Sequence, residues 1–182
     1  DETWSRAYSE CLRHGDLRRA VRCAFWLAFG LLNSGEVAKG GGWLARAQKL
    51  IDDNNLDCAE CGYLLVPSGL ACFAAGDVPG ALALFEKATK IGERFSDRDL
   101  MAIGRLGWGQ ALLELGESSR GLAFLDEAIV SVTAGEVSPI VAGLVYCGAI
   151  ETCQDMFDLR RARAWTTALS KWCDSPPTLV PY

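Results

Sequence analysis

Two cysteines three residues apart, Cys58 and Cys61, form the local motif best suited to chemistry. Thiols at a helix start can have a lowered pKa and exchange disulfides, and two of them supply half of a zinc site. A structural zinc needs two further ligands, whereas the chain has a single histidine, His14, and no second Cys-x-x-Cys pair. Redox enzymes with this motif are α/β proteins, and no strand pattern occurs here. The pair is interpreted as partly buried helical cysteines, with a redox pair as the alternative; no metal and no cofactor are predicted.

Glycine clusters, at residues 40–42 and at Gly104, Gly107 and Gly109, suggest phosphate binding as a second chemistry. Neither cluster follows a strand pattern, and neither carries the Lys-Ser or Lys-Thr that reaches phosphates and metal in phosphate-binding loops. Close packing of helices is the better interpretation. Three consecutive glycines should cost about 2–3 kcal/mol of local helix stability, so the helix that contains residues 40–42 is expected to start late.

The remaining polar residues suggest no catalysis. His14 ends a short predicted helix, where the helix dipole favours a positive charge, and no serine or cysteine partner is implied. Three arginines within residues 160–163 are expected on a solvated face, and acidic pairs such as Asp52 and Asp53 fall at helix ends. Because no constellation resembles an active site, the chain is predicted not to be an enzyme.

Composition excludes further classes of function. The chain has 182 residues, half of them hydrophobic, and a net charge of −5. Nucleic-acid surfaces need a basic face, so direct binding to nucleic acid is not expected. The most apolar stretch, residues 23–32, has about half the length that crosses a bilayer, so no membrane insertion is expected. The eight cysteines fall mostly within apolar helical patterns, which favours a reducing compartment and a cytoplasmic location.

A repeat of about 40 residues organises the chain. Four turns recur at spacings of 41, 40 and 41 residues, namely Gly35-Glu36, Gly76-Asp77, Gly116-Glu117 and Phe157-Asp158. Glycine can end a helix in the left-handed conformation, and an acid suits the positive end of the next helix. Because Phe157 stands where the other turns have glycine, the fourth turn is expected to be made differently.

The regular spacing of these turns predicts an all-α fold, a superhelical solenoid of antiparallel helix pairs with about nine helices. The predicted helices span residues 3–14, 16–33, 36–52, 57–75, 77–95, 97–115, 117–134, 138–156 and 158–174. Helix 3–14 is a leading half-repeat, and the pairs occupy residues 16–54, 57–95, 97–134 and 138–174 of a domain over 1–175. Asp77, Asp97 and Asp158 are expected N-caps or first-turn acids, and Ser138 a cap before a proline. Residues 176–182 are expected to be a tail or linker, and the missing initiator Met suggests a piece of a longer protein.

The repeat resembles the tetratricopeptide repeat. The copy that fits best has small and large residues in consensus order at Gly69, Cys72, Gly76, Asp77, Ala81, Phe85 and Ala88. More specifically, the chain is similar to the helical-repeat region of large actinobacterial LuxR- and MalT-type regulators, a resemblance carried by residues 42–47, 138–147 and 157–173. Such regions lie between an ATPase or nucleotide-cyclase module and a helix-turn-helix reader. The resemblance therefore implies a sensory or assembly segment of a signalling protein.

In such a solenoid the first helix of each pair lines a concave groove. The residues predicted to face it are Arg22, Phe25, Phe29, Tyr63, Val66, Leu70, Phe73, Ile103, Leu106, Gln110, Leu113, Tyr146, Cys147, Glu151 and Gln154; for each, a place in the core is the alternative. Apolar walls with a few polar groups suit a protein or peptide partner, including other domains of the same full-length protein. The alternatives are a small-molecule effector that shifts the curvature of the array, and a redox switch at Cys58 and Cys61.

Overall fold

The computed structural model describes residues 2–174, and these are all-helical, with no strand among them. The all-α class is therefore confirmed, whereas the predicted tail at 176–182 lies outside the described residues. The helices are α1 (Glu2–Arg13), α2 (Leu17–Asn33), α3 (Val37–Asp53), α4 (Glu60–Tyr63), α5 (Leu65–Ala74), α6 (Val78–Phe95), α7 (Arg98–Glu114), α8 (Ser118–Thr133), α9 (Pro139–Asp155) and α10 (Leu159–Asp174).

Eight of the nine predicted helices begin and end within one residue of the observed bounds, and the ninth is wrong. The predicted helix 57–75 is interrupted at Leu64, which separates the short α4 from α5. Pro67 explains the interruption, because proline lacks the N–H that would bond to the carbonyl of Tyr63 four residues earlier and its ring clashes with that carbonyl. The apolar pattern over 57–75 continues across this proline, which is why a single helix was predicted there.

The three consecutive glycines do not delay α3, which begins at Val37, so the expected late start is wrong. Gly40 is buried, and a Cβ on it would lie 2.7 Å from Leu32 Cγ and 3.1 Å from the carbonyl oxygen of Ala28. A Cβ on Gly41 or Gly42 would meet nothing within 4 Å. Only the first glycine of the run is therefore required by the packing of α2 on α3.

The four recurring turns share one backbone geometry, and the expectation that Phe157 forces a different turn is wrong. Phe157 has φ 58°, in the left-handed region that Gly116 also occupies at φ 82°. Its N–H donates to the carbonyl of Gln154 at 3.0 Å, and Asp158 N–H donates to Cys153 at 2.8 Å. The turn at Gly116 has the same two bonds, at 3.0 and 2.8 Å. Phe157 thus adopts a backbone conformation that glycine normally adopts at this position.

Replacing Phe157 with glycine should raise the free energy of unfolding by about 1 kcal/mol, because a left-handed conformation costs a residue with a Cβ roughly 1–2 kcal/mol. Little burial is lost, since Phe157 is 85% exposed. Urea denaturation followed by far-UV circular dichroism measures the change. The reciprocal variant Gly116→Phe, at the matching turn, should lower the midpoint, and equal midpoints for both variants and the parent protein would contradict this explanation.

Aspartates cap several helices, as expected. The side chain of Asp77 accepts a hydrogen bond from Gly80 N–H, and that of Asp97 accepts one from Leu100 N–H. Asp158 accepts one from Arg161 N–H, and the pKa of its carboxyl is lowered, chiefly by the hydrogen bond from the Arg161 side chain. Ser138 precedes Pro139 at the start of α9 but makes no capping bond with its side chain.

The chain divides into two compact units, one up to Ser68 and one from Gly69 onward, with the boundary inside α5. In the first unit α2 packs against both α1 and α3. In the second, α7 packs against α6, α8 and α9, and α9 also packs against α10. The core of the second unit contains Phe85, Leu112 and Leu125, each 2% exposed or less. The position of α7 among three neighbours makes it the helix that organises this unit.

Candidate ligand-binding groove

A groove within the second unit is the best candidate for a functional site. Its cavity, of about 420 Å³, is lined by eight residues of the C-terminal halves of α5, α7 and α9 and the turn after α9. These residues, which define the α5–α7–α9 groove, are Leu70, Phe73, Gln110, Leu113, Glu114, Thr152, Asp155 and Met156. Half of them are apolar, two are neutral and polar, and two are acidic.

A hydrogen bond between side chains joins two of the helices that form the groove. Gln110 Nε2 on α7 donates to Thr152 Oγ1 on α9 at 2.9 Å, and Thr152 donates in turn to the carbonyl oxygen of Gly148 at 2.6 Å. Gly148 allows this approach, because a Cβ there would lie 2.8 Å from Leu106 Cδ2 on α7. Both polar side chains are half-buried, so the amide of Gln110 is held in place within the groove.

Two carboxylates, those of Glu114 and Asp155, complete the lining at the ends of α7 and α9. Both residues are exposed, and neither forms an ion pair with any residue in the described part of the chain. They occupy equivalent positions, 41 residues apart, in successive repeats. The groove therefore combines apolar walls with an uncompensated negative charge at one end.

Four of the predicted groove residues line this cavity, namely Leu70, Phe73, Gln110 and Leu113. Others lie in the core with 7% exposure or less, and these are Phe25, Tyr63, Val66, Ile103 and Tyr146. Arg22, Phe29 and Leu106 are half-buried outside the cavity, and Cys147, Glu151 and Gln154 are exposed outside it. The core alternative thus describes these five residues, all of them aromatic or aliphatic.

Four residues of the lining were not predicted from the sequence: Glu114, Thr152, Asp155 and Met156. On α9 the two sets differ in register, because Gly148 and Thr152 approach α7 and Asp155 lines the cavity, whereas residues 147, 151 and 154 were selected. A signal for the acids was present, since Glu114 and Asp155 recur at the repeat spacing. No such signal was available for Thr152, which depends on the rotation of α9.

Cys58, of the Cys-x-x-Cys motif, is 1% exposed, and Cys61 is half-buried. Both are free thiols, and Cys61 Sγ donates to the carbonyl oxygen of Leu56 at 3.4 Å. Burial, together with a hydrogen bond to the Glu60 side chain, raises the pKa of the Cys58 thiol to about 12. This is opposite to the lowering that thiol chemistry at a helix start would need, so Cys58 is a poor nucleophile near neutral pH.

Glu60, the residue before Cys61, is a buried carboxylate of the first unit at 6% exposure. Arg22 on α2 approaches its Oε1 with Nη2 at 2.8 Å, and the Arg22 guanidinium lies 4.6 Å from the centre of the Tyr63 ring. This arrangement attaches α4 to α2 through charge and ring contacts. Because Glu60 and Tyr63 are buried and Arg22 is half-buried, we assign this arrangement a structural role rather than a binding one.

A second cavity of about 420 Å³ in the same unit is polar and lies among α6, α7 and α8. Two arginines line it, and both are already paired: Arg105 Nε lies 3.3 Å from Glu127, and Arg98 Nη1 lies 2.6 Å from Glu136. Since these cations are compensated by Glu127 of α8 and by Glu136 in the turn that follows it, the cavity offers less to a ligand than the α5–α7–α9 groove does.

The basic residues of α10 are consistent with a structural surface. Arg161 lies 2.8 Å from Asp158 and 3.5 Å from Asp126 of α8. Arg160 and Arg163 are exposed, as is His14, whose Nε2 lies 3.9 Å from a carboxylate oxygen of Glu10. Among residues 2–174, no group of three or more histidine, cysteine or acidic side chains is placed to hold a metal ion.

Within the described part of the chain, no helix has the length and apolar character needed to cross a membrane. Comparison with family models, with curated proteins and with solved structures gave no match. Residues 2–174 therefore form an all-helical protein with recurring helix-ending turns and a groove formed by α5, α7 and α9.

Proposed function

We propose that this chain is a helical-repeat binding module of the solenoid class, in which the α5–α7–α9 groove takes up a peptide or a helix of a protein partner. The observation that carries the proposal is the lining itself, four apolar side chains around the hydrogen-bonded pair of Gln110 and Thr152. Apolar walls bury the side chains of a ligand, and a few fixed polar groups orient its backbone. This role needs no catalytic residue.

We further propose that the module belongs to a cytoplasmic transcriptional or signalling regulator, where it couples partner binding to other domains of the same protein. The resemblance of its repeats to those of LuxR- and MalT-type regulators supports this. The sequence that flanks the module in the full-length protein tests it. A helix-turn-helix reader downstream would support the assignment, and an unrelated catalytic domain there would contradict it.

Binding in the groove is tested with Leu70→Ser, matched by Val130→Ser. Both leucine and valine are exposed, at 41% and 62%, but Leu70 lines the groove and Val130 lies on α8 outside it. The probes are fluorescent amphipathic peptides with one leucine face, and the readout is fluorescence anisotropy. We expect Leu70→Ser to weaken binding about tenfold, since burial of a leucine contributes roughly 1.5–3 kcal/mol, and Val130→Ser to leave it unchanged. Equal affinities for the two variants, or binding of no peptide, would contradict the proposal.

A small-molecule effector is the second candidate, favoured by the volume of the groove. A cavity of about 420 Å³ falls within the range of roughly 300–1,000 Å³ typical of ligand pockets. A ligand that binds only the folded state raises its melting midpoint. A midpoint raised by a metabolite panel, and not by peptides or neighbouring domains, would favour this candidate over the peptide.

A further inference from the structure

The charge on the lining of the groove restricts the kind of partner it fits. No lysine or arginine is among the eight residues that line it, whereas two carboxylates are. The acids that lie elsewhere on α8, α9 and their turns are often compensated: Glu117 is paired with Arg120, Glu136 with Arg98, and Asp158 with Arg161. Glu114 and Asp155 have no such cation in the described part of the chain, although they lie beside a surface that is apolar.

We infer that the α5–α7–α9 groove selects an apolar peptide segment that carries lysine or arginine, with Leu70, Phe73, Leu113 and Met156 contacting its apolar side chains and Glu114 and Asp155 its cations. This inference rests on the proposed function, because it names the chemistry of the partner for that same groove. Complementary charges across an interface mainly give specificity and speed of association. The apolar walls therefore supply the affinity and the two acids supply the discrimination.

The same lining disfavours the opposite class of partner. An acidic peptide or a phosphate would bring a negative charge next to Glu114 and Asp155 without a lysine or arginine in the groove to compensate it. Such a like-charge contact weakens a complex. The two acids also recur at one position of successive repeats, so an extended segment running along the ends of α7 and α9 could place two cations, one against each.

The experiment compares three peptides that have leucine at the same positions and carry lysine, glutamine or glutamate at all remaining positions. Binding of each peptide to the full chain is measured at low ionic strength. We expect the lysine peptide to bind about 5- to 10-fold tighter than the glutamine peptide, because exposed charge pairs each contribute modestly and two carboxylates are present. This preference should shrink as salt is added, since salt screens exposed charges. The glutamate peptide should bind weakest.

Two variants test whether Glu114 and Asp155 cause the preference for the lysine peptide. In the double variant Glu114→Gln with Asp155→Asn, the lysine and glutamine peptides should bind with equal affinity, while the affinity of the glutamine peptide stays unchanged. The control Asp53→Asn removes a negative charge from α3, outside the lining, and should retain the preference. A preference that persists in the double variant would overturn the inference, since it would reflect only attraction to a chain of net charge −5.

The outcomes separate this inference from the proposed function. Equal binding of the lysine and glutamine peptides to the unmodified chain, both weakened by Leu70→Ser, would overturn the charge selection and leave the groove as a peptide site. Tighter binding of the glutamate peptide would also overturn the selection alone. Binding of none of the three peptides would overturn both.

Discussion

Replacing Gly107 with alanine should lower the free energy of unfolding by about 2–3 kcal/mol, even though alanine favours a helix interior by up to about 1 kcal/mol. A Cβ at Gly107 would lie 2.4 Å from both Cδ1 and Cε1 of Phe85. Phe85 cannot simply retreat, since a Cβ on Gly69, on its other edge, would already lie 2.7 Å from Cε2. The ring is 2% exposed and stacks on Phe73 with 5.7 Å between centroids. Urea denaturation followed by far-UV circular dichroism measures the loss.

Two further variants show whether the contact with Phe85 causes the loss. Gly143→Ala on α9 is the matched control, because a Cβ there meets nothing within 4 Å, and it should leave stability unchanged or raise it by up to about 1 kcal/mol. Phe85→Leu should relieve the overlap, so the double variant should be about 1–2 kcal/mol more stable than the two single effects predict when added. Additive effects, or equal effects of Gly107→Ala and Gly143→Ala, would contradict the role assigned to this glycine.

The contact between Gly107 and Phe85 shows which part of the glycine pattern could be interpreted from the sequence. Close packing was the right interpretation for Gly104, Gly107 and Gly109, where an added Cβ would approach a neighbouring helix to 2.9 Å or less. It does not hold for Gly41 and Gly42, which lie in open space within an intact helix. The two glycine clusters look alike in the sequence, because it shows only that glycine is present. Whether a given glycine faces a neighbouring helix is decided by tertiary packing.

Helix bounds could be predicted closely because each turn has a local cause. A glycine in the left-handed conformation ends a helix, and an aspartate that caps the N–H three residues later begins one. Both effects involve only a few neighbouring residues. Two of the failures also have local causes that were misjudged. Pro67 interrupts the helix predicted over 57–75, and Phe157 adopts the left-handed turn despite its Cβ. In the second case the surrounding repeat geometry outweighs a local cost of roughly 1–2 kcal/mol.

The candidate site was less predictable, since it depends on how helices rotate about their axes. On α7 the periodic spacing selected Gln110 and Leu113, and both line the cavity. On α9 the same spacing, carried forward by one repeat, selected Glu151 and Gln154, whereas Thr152 and Asp155 line the cavity. A rotation of one residue, about 100° in a helix, separates these two sets. Repeat spacing does not contain that rotation, because it depends on how α9 packs against α7, where Gly148 lies close to Leu106.

Replacing Arg22 with methionine should lower the free energy of unfolding by about 3 kcal/mol, because it leaves the Glu60 carboxylate buried without the guanidinium that compensates it. The side chain of Glu60 is 8% exposed, that of Arg22 is 34% exposed, and Nη2 and Oε1 lie 2.8 Å apart. Loss of the guanidinium over the Tyr63 ring adds a further contribution, of about 0.5–1 kcal/mol. Urea denaturation at neutral pH measures the change.

The reverse substitution should cost less. Glu60→Gln retains an oxygen that can accept from Arg22, and the guanidinium can reach water, so we expect a loss of only about 1–2 kcal/mol. Arg19→Met is the matched control on the same helix, since Arg19 forms a mostly exposed pair with Asp16 at 3.4 Å. Such pairs contribute up to about 1 kcal/mol. If Arg22→Met costs no more than Arg19→Met, the pair does not hold α4 on α2 in the way its burial implies.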